Sequence, residues 1–395
     1  MKKGLIIGAL PMAYGGKTPG GIATHIHGLV QTLTNNGYSI DLCYHKPRKP
    51  HQFKKIQVLG CGKIAYLFNV IVGFILLLLK NRKILFIIPL NSVVFASFYY
   101  RFLSNYLKTN KIDFVHVHSL SNVSPIILKQ LSVNCNVIVT DHGFWQKPNL
   151  KSNKRYLSLL KKSFECSTNI IYISDYAYNY HLDYKLGDLK KLVKIPNPID
   201  FTLFKNETDI IKTGNANKKN IFFNGLTHSL SIKRLDILLE SIENDEVLKK
   251  TVILKIVCNK NGHDFVKSKK WNFDLELFDR QPIESILKLY TEANIMVLPS
   301  KSESFGLVYL EALAMGIPVI GFNKVIDEFK EQLQTYIGES FDSNIESHLQ
   351  LAQKIRRVLS SDFNGQGVQS KLQLVYSWNR QIIDFIKLYQ DNITD

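Results

Sequence analysis

Cysteine is scarce in this sequence, and the cysteines are not grouped. Five are spread over 395 residues, and no two of them form a C-x-x-C pair. Disulfide-stabilised and zinc-binding domains show paired or regularly spaced cysteines. The distribution therefore argues against a disulfide framework and a zinc site, and it favours a reducing compartment.

Acidic residues are nearly absent from the first part of the chain. Residues 1–112 hold 15 lysines and arginines and one acid, Asp41, so this segment carries +14 of the total +17. A basic segment of this kind suits nucleic acid or an anionic membrane surface. No nucleic-acid-binding signature accompanies it and its apolar content is high, so we expect a membrane surface and no nucleic acid.

No hydrophobic run is long enough to make a membrane span certain. Residues 64–79 contain one polar residue, Asn69, and the apolar stretch that follows is broken by Pro89 and Asn91. A spanning helix needs about 20 apolar residues. For residues 64–107, within a basic, apolar segment of about 46–111, three structures stay open: a buried helix with a core strand, monotopic docking on a bilayer, or a true span.

The length exceeds that of one ordinary core, which predicts two domains. The apolar start is predicted to be a buried strand, Leu5 to Leu10, in preference to a signal peptide. A glycine-rich turn, an amphipathic helix and a second strand follow, which is a βαβ unit. Further short apolar strands alternate with helices, and two prolines near residue 197 separate two such sets. We predict doubly wound α/β domains at 1–196 and 197–372, and one closing helix within 373–395.

Two carboxylates flank one predicted strand–loop–helix junction in the second domain. Glu303 precedes a helix expected to start near Phe305 or Gly306, and Glu311 lies about 10 Å along that helix. The free amides of a helix start bind anions, while carboxylates accept hydrogen bonds from hydroxyls. A nucleotide sugar fits, with the hexose at Glu303, the diphosphate at the helix start and the ribose at Glu311. Alternatively, Glu303 caps the helix and Glu311 pairs with a lysine.

The same junction, "SESFGLVYLEALAMGIPVIG", closely resembles the E-x7-E signature of family 4 glycosyltransferases. The resemblance extends in order through most of the chain. Its other segments are "TPGGIATHIHGLVQTLTNNGYSI", "DFVHVHS", "VTDHG", "IPNPID", "FFNGLTHSLSIKRLDILLESI" and "YSWNRQIIDFIKLY". It implies the GT-B fold: two doubly wound Rossmann-like domains, the donor cleft between them, and a C-terminal helix closing back on the first.

The resemblance also implies retaining transfer of a sugar from a nucleoside diphosphate sugar, without a metal and without a cofactor. The sequence has no convincing D-x-D motif, since the nearest approach, Asp274-Leu275-Glu276, opens a predicted strand.

Residue roles are carried over by motif. Catalytic roles fall to His118, Glu303 and Lys233, with His118 near the reacting carbon and Lys233 opposite the leaving diphosphate. The donor-binding residues would be Gly20, Gly21, Lys233, Arg234, Glu303, Ser304, Phe305, Gly306, Leu307 and Glu311.

The histidines keep alternative interpretations. His118 could instead be a packed residue at a strand end. His142 is a weaker candidate for acceptor binding or a turn residue, and His25 either meets the acceptor or lies on the surface. For His116 we expect a structural role, with its side chain on the face opposite His118.

The chain also departs from the family pattern. Leu226 stands where the family has an arginine, and Lys233 comes two residues later than usual. His228 or Arg234 could supply the missing positive charge. Pro198 replaces the glycine of the interdomain turn.

The expected function is transfer of a hexose from a UDP-sugar to a membrane-associated or lipid-linked glycan acceptor. We expect a cytoplasmic protein, peripheral on the inner face of the cell membrane, that acts in capsule, lipopolysaccharide or similar cell-surface polysaccharide synthesis. Two alternatives stay open: a GT-B nucleotide-sugar epimerase, and a degenerate glycosyltransferase that acts as a scaffold.

Overall fold

The chain forms two compact units in a computed structural model. Unit 1 comprises Met1–Pro198 together with Trp378–Asp395, and unit 2 comprises Ile199–Ser377. The structure describes residues 2–17, 20–85, 88–118, 125–132, 135–143, 153–204, 218–225 and 230–390.

Unit 1 contains an eight-stranded sheet. Its strands are β1 (Lys3–Ile7), β2 (Ser39–Cys43), β3 (His51–Phe53), β4 (Ile56–Val58), β5 (Phe114–His118), β6 (Asn136–Asp141), β7 (Asn169–Tyr172) and β8 (Leu192–Lys194). The order is β3-β4-β2-β1-β5-β6-β7-β8, and every neighbouring pair is parallel except β3 with β4. The first strand is shorter than predicted, because it ends at Ile7 rather than Leu10.

Helices cover both faces of this sheet. They are α1 (Gly21–Asn35), α2 (Lys63–Leu85), α3 (Leu90–Thr109), α4 (Pro125–Ser132), α5 (Lys154–Glu165), α6 (Asp175–Tyr184) and the last helix of the chain, α16 (Trp378–Gln390). Alternate residues of β1 enter two cores: Leu5 and Ile7 pack with Phe98 of α3, while Ile6 packs with Leu29 of α1 and Phe385 of α16. Burial on both faces explains why these strands read as continuous apolar runs.

The apolar segment after residue 63 forms two helices, α2 and α3, which pack against each other. The expected core strand is therefore wrong: Pro89 takes the N-cap position of α3 and the chain continues as helix. At the contact, a Cβ on Gly73 would lie 1.9 Å from the Ser97 carbonyl oxygen, so the close approach requires glycine. The expectation of a buried helix is also wrong for α2, since only 11% of Lys63–Lys80 is buried.

Unit 2 contains a six-stranded, fully parallel sheet. Its strands are β9 (Lys219–Asn224), β10 (Val252–Val257), β11 (Asp274–Phe278), β12 (Ile295–Leu298), β13 (Val319–Phe322) and β14 (Gly338–Phe341). The order β11-β10-β9-β12-β13-β14 is that of a dinucleotide-binding, doubly wound fold. The predicted fold of two doubly wound α/β domains is confirmed.

The helices of unit 2 alternate with its strands. They are α7 (Leu230–Lys233), α8 (Leu235–Glu243), α9 (Glu246–Thr251), α10 (Lys260–Lys267), α11 (Ile283–Glu292), α12 (Leu307–Ala314), α13 (Asn323–Leu333), α14 (His348–Leu359) and α15 (Gly365–Tyr376). The predicted closing helix corresponds to α16, which packs against α1 of unit 1, but it begins at Trp378 because α15 ends at Tyr376 within unit 2. Ser377 between them is extended (φ −76°, ψ 151°) and forms a β-bridge with Ile199.

Candidate active site

The strand order of unit 2 locates a candidate site. The chain leaves β9 toward one edge of the sheet and β12 toward the other, and ligands bind at the carboxyl ends of strands at such a point. β9 ends at Asn224 and β12 at Leu298. The two following segments are joined, since the Lys301 amide donates to the Ile232 carbonyl at 2.7 Å.

Glu303 and Lys233 form an ion pair at this point. The Lys233 ammonium donates to Oε1 of Glu303, which also accepts from the Ser300 hydroxyl at 2.8 Å. Glu303 is 9% exposed, and the side chain of Lys233 is 18% exposed. The ion pair brings together two of the predicted catalytic residues.

Gly306 starts helix α12 in the left-handed conformation, with φ +72° and no side-chain cap. A Cβ there would lie 2.3 Å from the Tyr309 ring. The Tyr309 hydroxyl donates to the Leu298 carbonyl at 2.8 Å and accepts from the Phe322 amide at 3.1 Å, which ties α12 to the ends of β12 and β13. The helix start, with its unpaired amides and positive dipole end, is thereby held at the strand ends.

Glu311 lies in the second turn of α12. The Tyr290 hydroxyl of α11 donates to its Oε2 at 3.1 Å. Burial raises the pKa of Glu311 to about 7, an effect that the Tyr290 hydrogen bond partly opposes. Among the described residues the partner of Glu311 is therefore this tyrosine rather than a lysine, and Glu303 is not the helix cap, so the alternative proposed for the two carboxylates is wrong.

Three further residues predicted to bind the donor, Ser304, Phe305 and Leu307, differ in how far their side chains are exposed. The side chain of Phe305 is buried against Phe329 and Tyr376, so only its backbone faces the loop. Ser304 and Leu307, on either side, are half-buried.

Arg234 already has partners within unit 2. Its guanidinium contacts the Asp236 carboxylate at 3.1 Å and donates to the Ser343 carbonyl at 2.9 Å. His228 lies outside the described residues, so the source of the missing positive charge stays a prediction.

In unit 1 the strand order reverses between β1 and β5. His118 is the last residue of β5, His142 follows β6, and His25 lies on α1. Nδ1 of His118 is 3.0 Å from Nε2 of His142, and the His25 ring centroid is 5.4 Å and 5.2 Å from theirs. Burial lowers the pKa of His118 and His25 well below the usual range and that of His142 to about 4, so all three are neutral near pH 7.

Two expectations for the histidines are wrong. His25 is 3% exposed and packs against Trp378, so it is not a surface residue. His116 shares a face with His118, with ring centroids 4.0 Å apart, because side chains two residues apart on a strand point the same way. Its nitrogens contact the Tyr389 hydroxyl at 2.8 Å and the Thr140 hydroxyl at 2.6 Å, which is a packed structural arrangement.

Gly20 and Gly21 stand at the start of α1, with Gly20 as its extended N-cap. Among the described residues, no atom outside the adjacent chain lies within 4 Å of where a Cβ of Gly20 would be. The backbone there is open to a ligand.

Two doubly wound units, each with polar residues at its strand-order reversal, are the architecture of the GT-B class of glycosyltransferases, which solved GT-B structures share with this chain. The chain belongs to family 4 of that class: models described as Glycosyltransferase Family 4 and Glycosyl transferases group 1 match residues 19–203 and 205–371. The predicted family is confirmed, and the chain is a glycosyltransferase of this type.

Curated relatives carry the same description. The O-antigen biosynthesis glycosyltransferase WclY of Escherichia coli is 22% identical over 293 residues, covering 70% of this chain and 81% of the relative. The uncharacterized glycosyltransferase MJ1178 of Methanocaldococcus jannaschii is 24% identical over 391 residues, covering 94% of this chain and 95% of the relative.

Solved structures share the fold at low identity. Sucrose-phosphate synthase from Thermosynechococcus elongatus superposes with a TM-score of 0.75 at 17% identity, covering 99% of each chain. Anabaena HepE, solved in complex with UDP-glucose, superposes with a TM-score of 0.66 at 14% identity, covering 98% of this chain and 100% of HepE.

Sequence reasoning missed three residues of the unit 2 site: Ser300, Tyr290 and Tyr309. Ser300 sits three positions before Glu303, a spacing that could have indicated a loop contact. Tyr290 and Tyr309 read as apolar helix positions, and only the packing reveals where their hydroxyls point.

Proposed function

We propose that this chain transfers a hexose, with retention of configuration, from a UDP-sugar to a membrane-associated or lipid-linked glycan. The observation that carries the proposal is the junction at β12: Glu303, paired with Lys233, precedes the start of α12, and Glu311 follows it. Hydroxyl acceptors stand at both ends, with an anion-binding helix start between them.

The donor is divided among these groups. Glu303 accepts hydrogen bonds from hexose hydroxyls, the amides of Phe305, Gly306 and Leu307 bind the diphosphate, and Glu311 accepts from the ribose. Ser304 and Arg234 complete the predicted donor contacts in unit 2. HepE, a fold neighbour, was solved with UDP and with UDP-glucose, which supports a UDP-sugar as donor here.

Lys233 stabilises the negative charge that develops during the reaction. As the bond between the sugar and the diphosphate breaks, negative charge develops on the leaving phosphate, and a fixed ammonium stabilises it. With this charge and the helix start in place, the transfer needs no added Mg²⁺ or Mn²⁺ and no cofactor. His118 contacts the donor sugar near the reacting carbon, Gly20 and Gly21 allow backbone approach, and His25 and His142 belong to the acceptor side.

Helix α2 supports a membrane-bound acceptor. Residues Lys63–Lys80 have a mean hydropathy of 2.0, and by length and composition the helix could cross a membrane. One of its faces packs into the core of unit 1 through Leu77, which is fully buried. The opposite face is apolar and exposed, at helical spacing: Ile64, Leu67, Phe68, Ile71, Phe74, Ile75, Leu78 and Leu79.

A helix that packs one narrow face on a folded core, with 11% of its apolar window buried, lies on a bilayer more readily than across it. Exposed Lys63 and Lys80 stand at the two ends of the stripe and suit anionic headgroups. We therefore infer a peripheral protein on the inner face of the cell membrane. The relative named for O-antigen biosynthesis, and a Klebsiella pneumoniae relative named for the cps region (28% identical over 231 residues, 55% of this chain and 62% of the relative), support a role in cell-surface polysaccharide synthesis.

The transfer is tested with UDP-hexoses and a membrane extract that contains lipid-linked glycans, followed by nuclear magnetic resonance of the product. We expect UDP release that depends on the extract, and a product whose anomeric configuration equals that of the donor. An inverted product contradicts retention. If the donor is converted in the absence of an acceptor, the result supports the epimerase. If no donor reacts, the result supports the scaffold.

Membrane docking is tested by flotation with phosphatidylglycerol vesicles. Leu79→Ser should reduce the floated fraction, because Leu79 is 78% exposed in the α2 stripe. Leu374→Ser, at a leucine that is 74% exposed on α15, is the matched control and should float like the parent chain. Equal flotation of all three proteins would contradict docking through α2.

A further inference from the structure

A carboxylate ends one of the core strands of unit 1, on a face that is otherwise apolar. Val137 and Val139 of β6 enter the core on the side of the sheet that α5 and α6 cover. Asp141, two residues further along, shares their face because side chains alternate along a strand, and it is 2% exposed. A buried carboxylate is costly unless it is paired and hydrogen-bonded, so its partners are informative.

The first partner of this carboxylate is His181 of α6. Nε2 of His181 lies 2.9 Å from Oδ2 of Asp141, and neither side chain is more than 1% exposed. The His181 ring packs edge-on against Phe164 of α5, with ring centroids 5.1 Å apart. A buried pair of this kind adds little net stability over apolar side chains of the same volume. Its presence in an apolar core therefore favours a role in positioning over a role in stability.

The second partner lies in the turn that follows β6. Oδ1 of Asp141 accepts from the Gly143 amide at 2.8 Å, and Gly143 has φ +99°, a conformation that favours glycine. Aspartate side chains that bond the backbone two residues on stabilise turns of this kind. The carboxylate thus fixes the backbone on both sides of His142, while His181 fixes the carboxylate.

His142 passes this order on to His118. Nε2 of His142 lies 3.0 Å from Nδ1 of His118, and the two rings stack at 24° with centroids 5.3 Å apart. A contact between two ring nitrogens needs one N–H and one lone pair, so each neutral ring holds a single tautomer. The orientation and tautomer of His118 therefore depend on where the backbone holds His142.

We propose that Asp141 and His181 are positioning residues, which hold the ring of His142 and, through it, the ring of His118. Neither of the two touches the reacting atoms. The contact of His118 with the donor sugar rests on the proposed function, whereas the ordering of the two rings does not. The pair and the rings form one chain of contacts from the core of unit 1 to the carboxyl ends of β5 and β6.

The ring geometry is tested on the full chain without any sugar donor. Nitrogen-15 spectra of histidine-labelled protein report the tautomer of each ring, and His118→Asn and His142→Asn identify the two sets of signals by their loss. We expect signals of a single tautomer for each ring in the parent chain. Asp141→Ala removes both contacts of the carboxylate and should move these signals toward those of a tautomer mixture. The signals of His116, whose nitrogens contact two hydroxyls instead, should not move.

Asp41→Ala is the matched control. Asp41 lies in the same sheet, is 1% exposed, and its carboxylate is 2.9 Å from the Lys3 ammonium. Its loss should lower the melting temperature, as the loss of Asp141 does, but should leave the ring signals in place. Asp141→Asn keeps an oxygen that accepts from the Gly143 amide and should restore most of the parent ring signals.

Steady-state kinetics with a UDP-sugar test the effect on the reaction. Asp141→Ala should lower the turnover number by at least about 10-fold with little change in the donor KM, because a misplaced group costs rate more than binding. Asp141→Asn should stay within about 3-fold of the parent turnover number, and Asp41→Ala should match it.

The proposal is overturned if the ring signals of His118 and His142 stay in place in Asp141→Ala, or if Asp41→Ala moves them equally. It is also overturned if the signals move but the turnover number does not. If circular dichroism shows that Asp141→Ala is unfolded, His181→Gln carries the same comparison, because it removes the ring that holds the carboxylate. A parent chain that transfers no sugar contradicts the proposed function, and the ring signals then decide on the positioning pair alone.

Discussion

The two units reverse their strand order in the same way, but the groups at the two reversal points differ in charge. In unit 2 they are a carboxylate paired with a lysine, Glu303 with Lys233, and a half-buried acid, Glu311. In unit 1 they are neutral histidines, of which His25 and His118 have nitrogens without partners in the described residues. The fold thus sets where a ligand binds, while the side chains set opposite responses to protons and charge in the two units.

The largest expected effect comes from removing the ammonium in unit 2. Lys233→Met should lower the turnover number by about 10²–10³-fold, because nothing else in the pair offsets charge on the leaving phosphate. The control is Lys354→Met: Lys354 pairs with Glu346 at 2.5 Å, and both side chains are 19% exposed, much like the site pair. Steady-state kinetics that show equal losses in both variants would contradict a specific role for Lys233.

As the pH falls, unit 1 should lose folding stability before unit 2 does. Burial lowers the pKa of His142 to about 4 and that of His116 to about 3, both below the 6.5 of an unfolded chain. The unfolded chain therefore binds more protons below pH 6.5, and stability decreases as the pH falls toward these folded values, by about 2 kcal/mol per histidine at pH 5. Hydrogen exchange of β5 and β6 peptides at pH 7 and pH 5, corrected for intrinsic rates, should show the loss, with β9 and β12 as reference. Equal loss in both units would contradict the contrast.

Glu311 should show the opposite dependence on pH. Its folded pKa of about 7 lies above the ordinary 4.5, so stability is lost as the pH rises from 4.5 to 7. Glu311→Gln should therefore stabilise the ligand-free chain at pH 8 by about 2 kcal/mol, less than the full shift because the side chain is partly exposed. Thermal melts of both proteins at pH 5 and pH 8 measure it. If Glu311→Gln is less stable than the parent chain at pH 8, the ionised Glu311 carboxylate does not destabilise the fold.

The smallest expected effect concerns the anchor of α12. Tyr309→Phe removes the hydroxyl that bridges Leu298 and Phe322, and should cost about 1 kcal/mol of unfolding free energy. A denaturant titration measures the cost. Tyr290→Phe, which removes the contact to Glu311 instead, is the companion variant. If Tyr309→Phe leaves both stability and UDP affinity unchanged, the hydroxyl does not position the helix start.

Much of the fold could be predicted, because parallel strands covered on both faces leave short apolar runs between glycine turns. The carboxylates of the unit 2 site could be predicted as well, since Glu303 and Glu311 stand in one continuous stretch of sequence. His118, His142 and His25 were candidates from the family resemblance, but their convergence could not be predicted, because His25 reads as a position on an amphipathic helix, and its burial by Trp378 of α16 depends on a contact between distant segments. Helix α3 was missed for a related reason: a Pro89 that breaks an apolar run also begins a helix.

The central claim is that the junction at β12 binds a nucleoside diphosphate sugar through Glu311 and the start of α12. Titration calorimetry with UDP, GDP and ADP, on the parent chain and on Glu311→Ala, tests it most directly. We predict that UDP binds more tightly than GDP and ADP, and that the variant loses this binding. Binding of no nucleotide by the parent chain, or UDP binding that persists in Glu311→Ala, would contradict the claim.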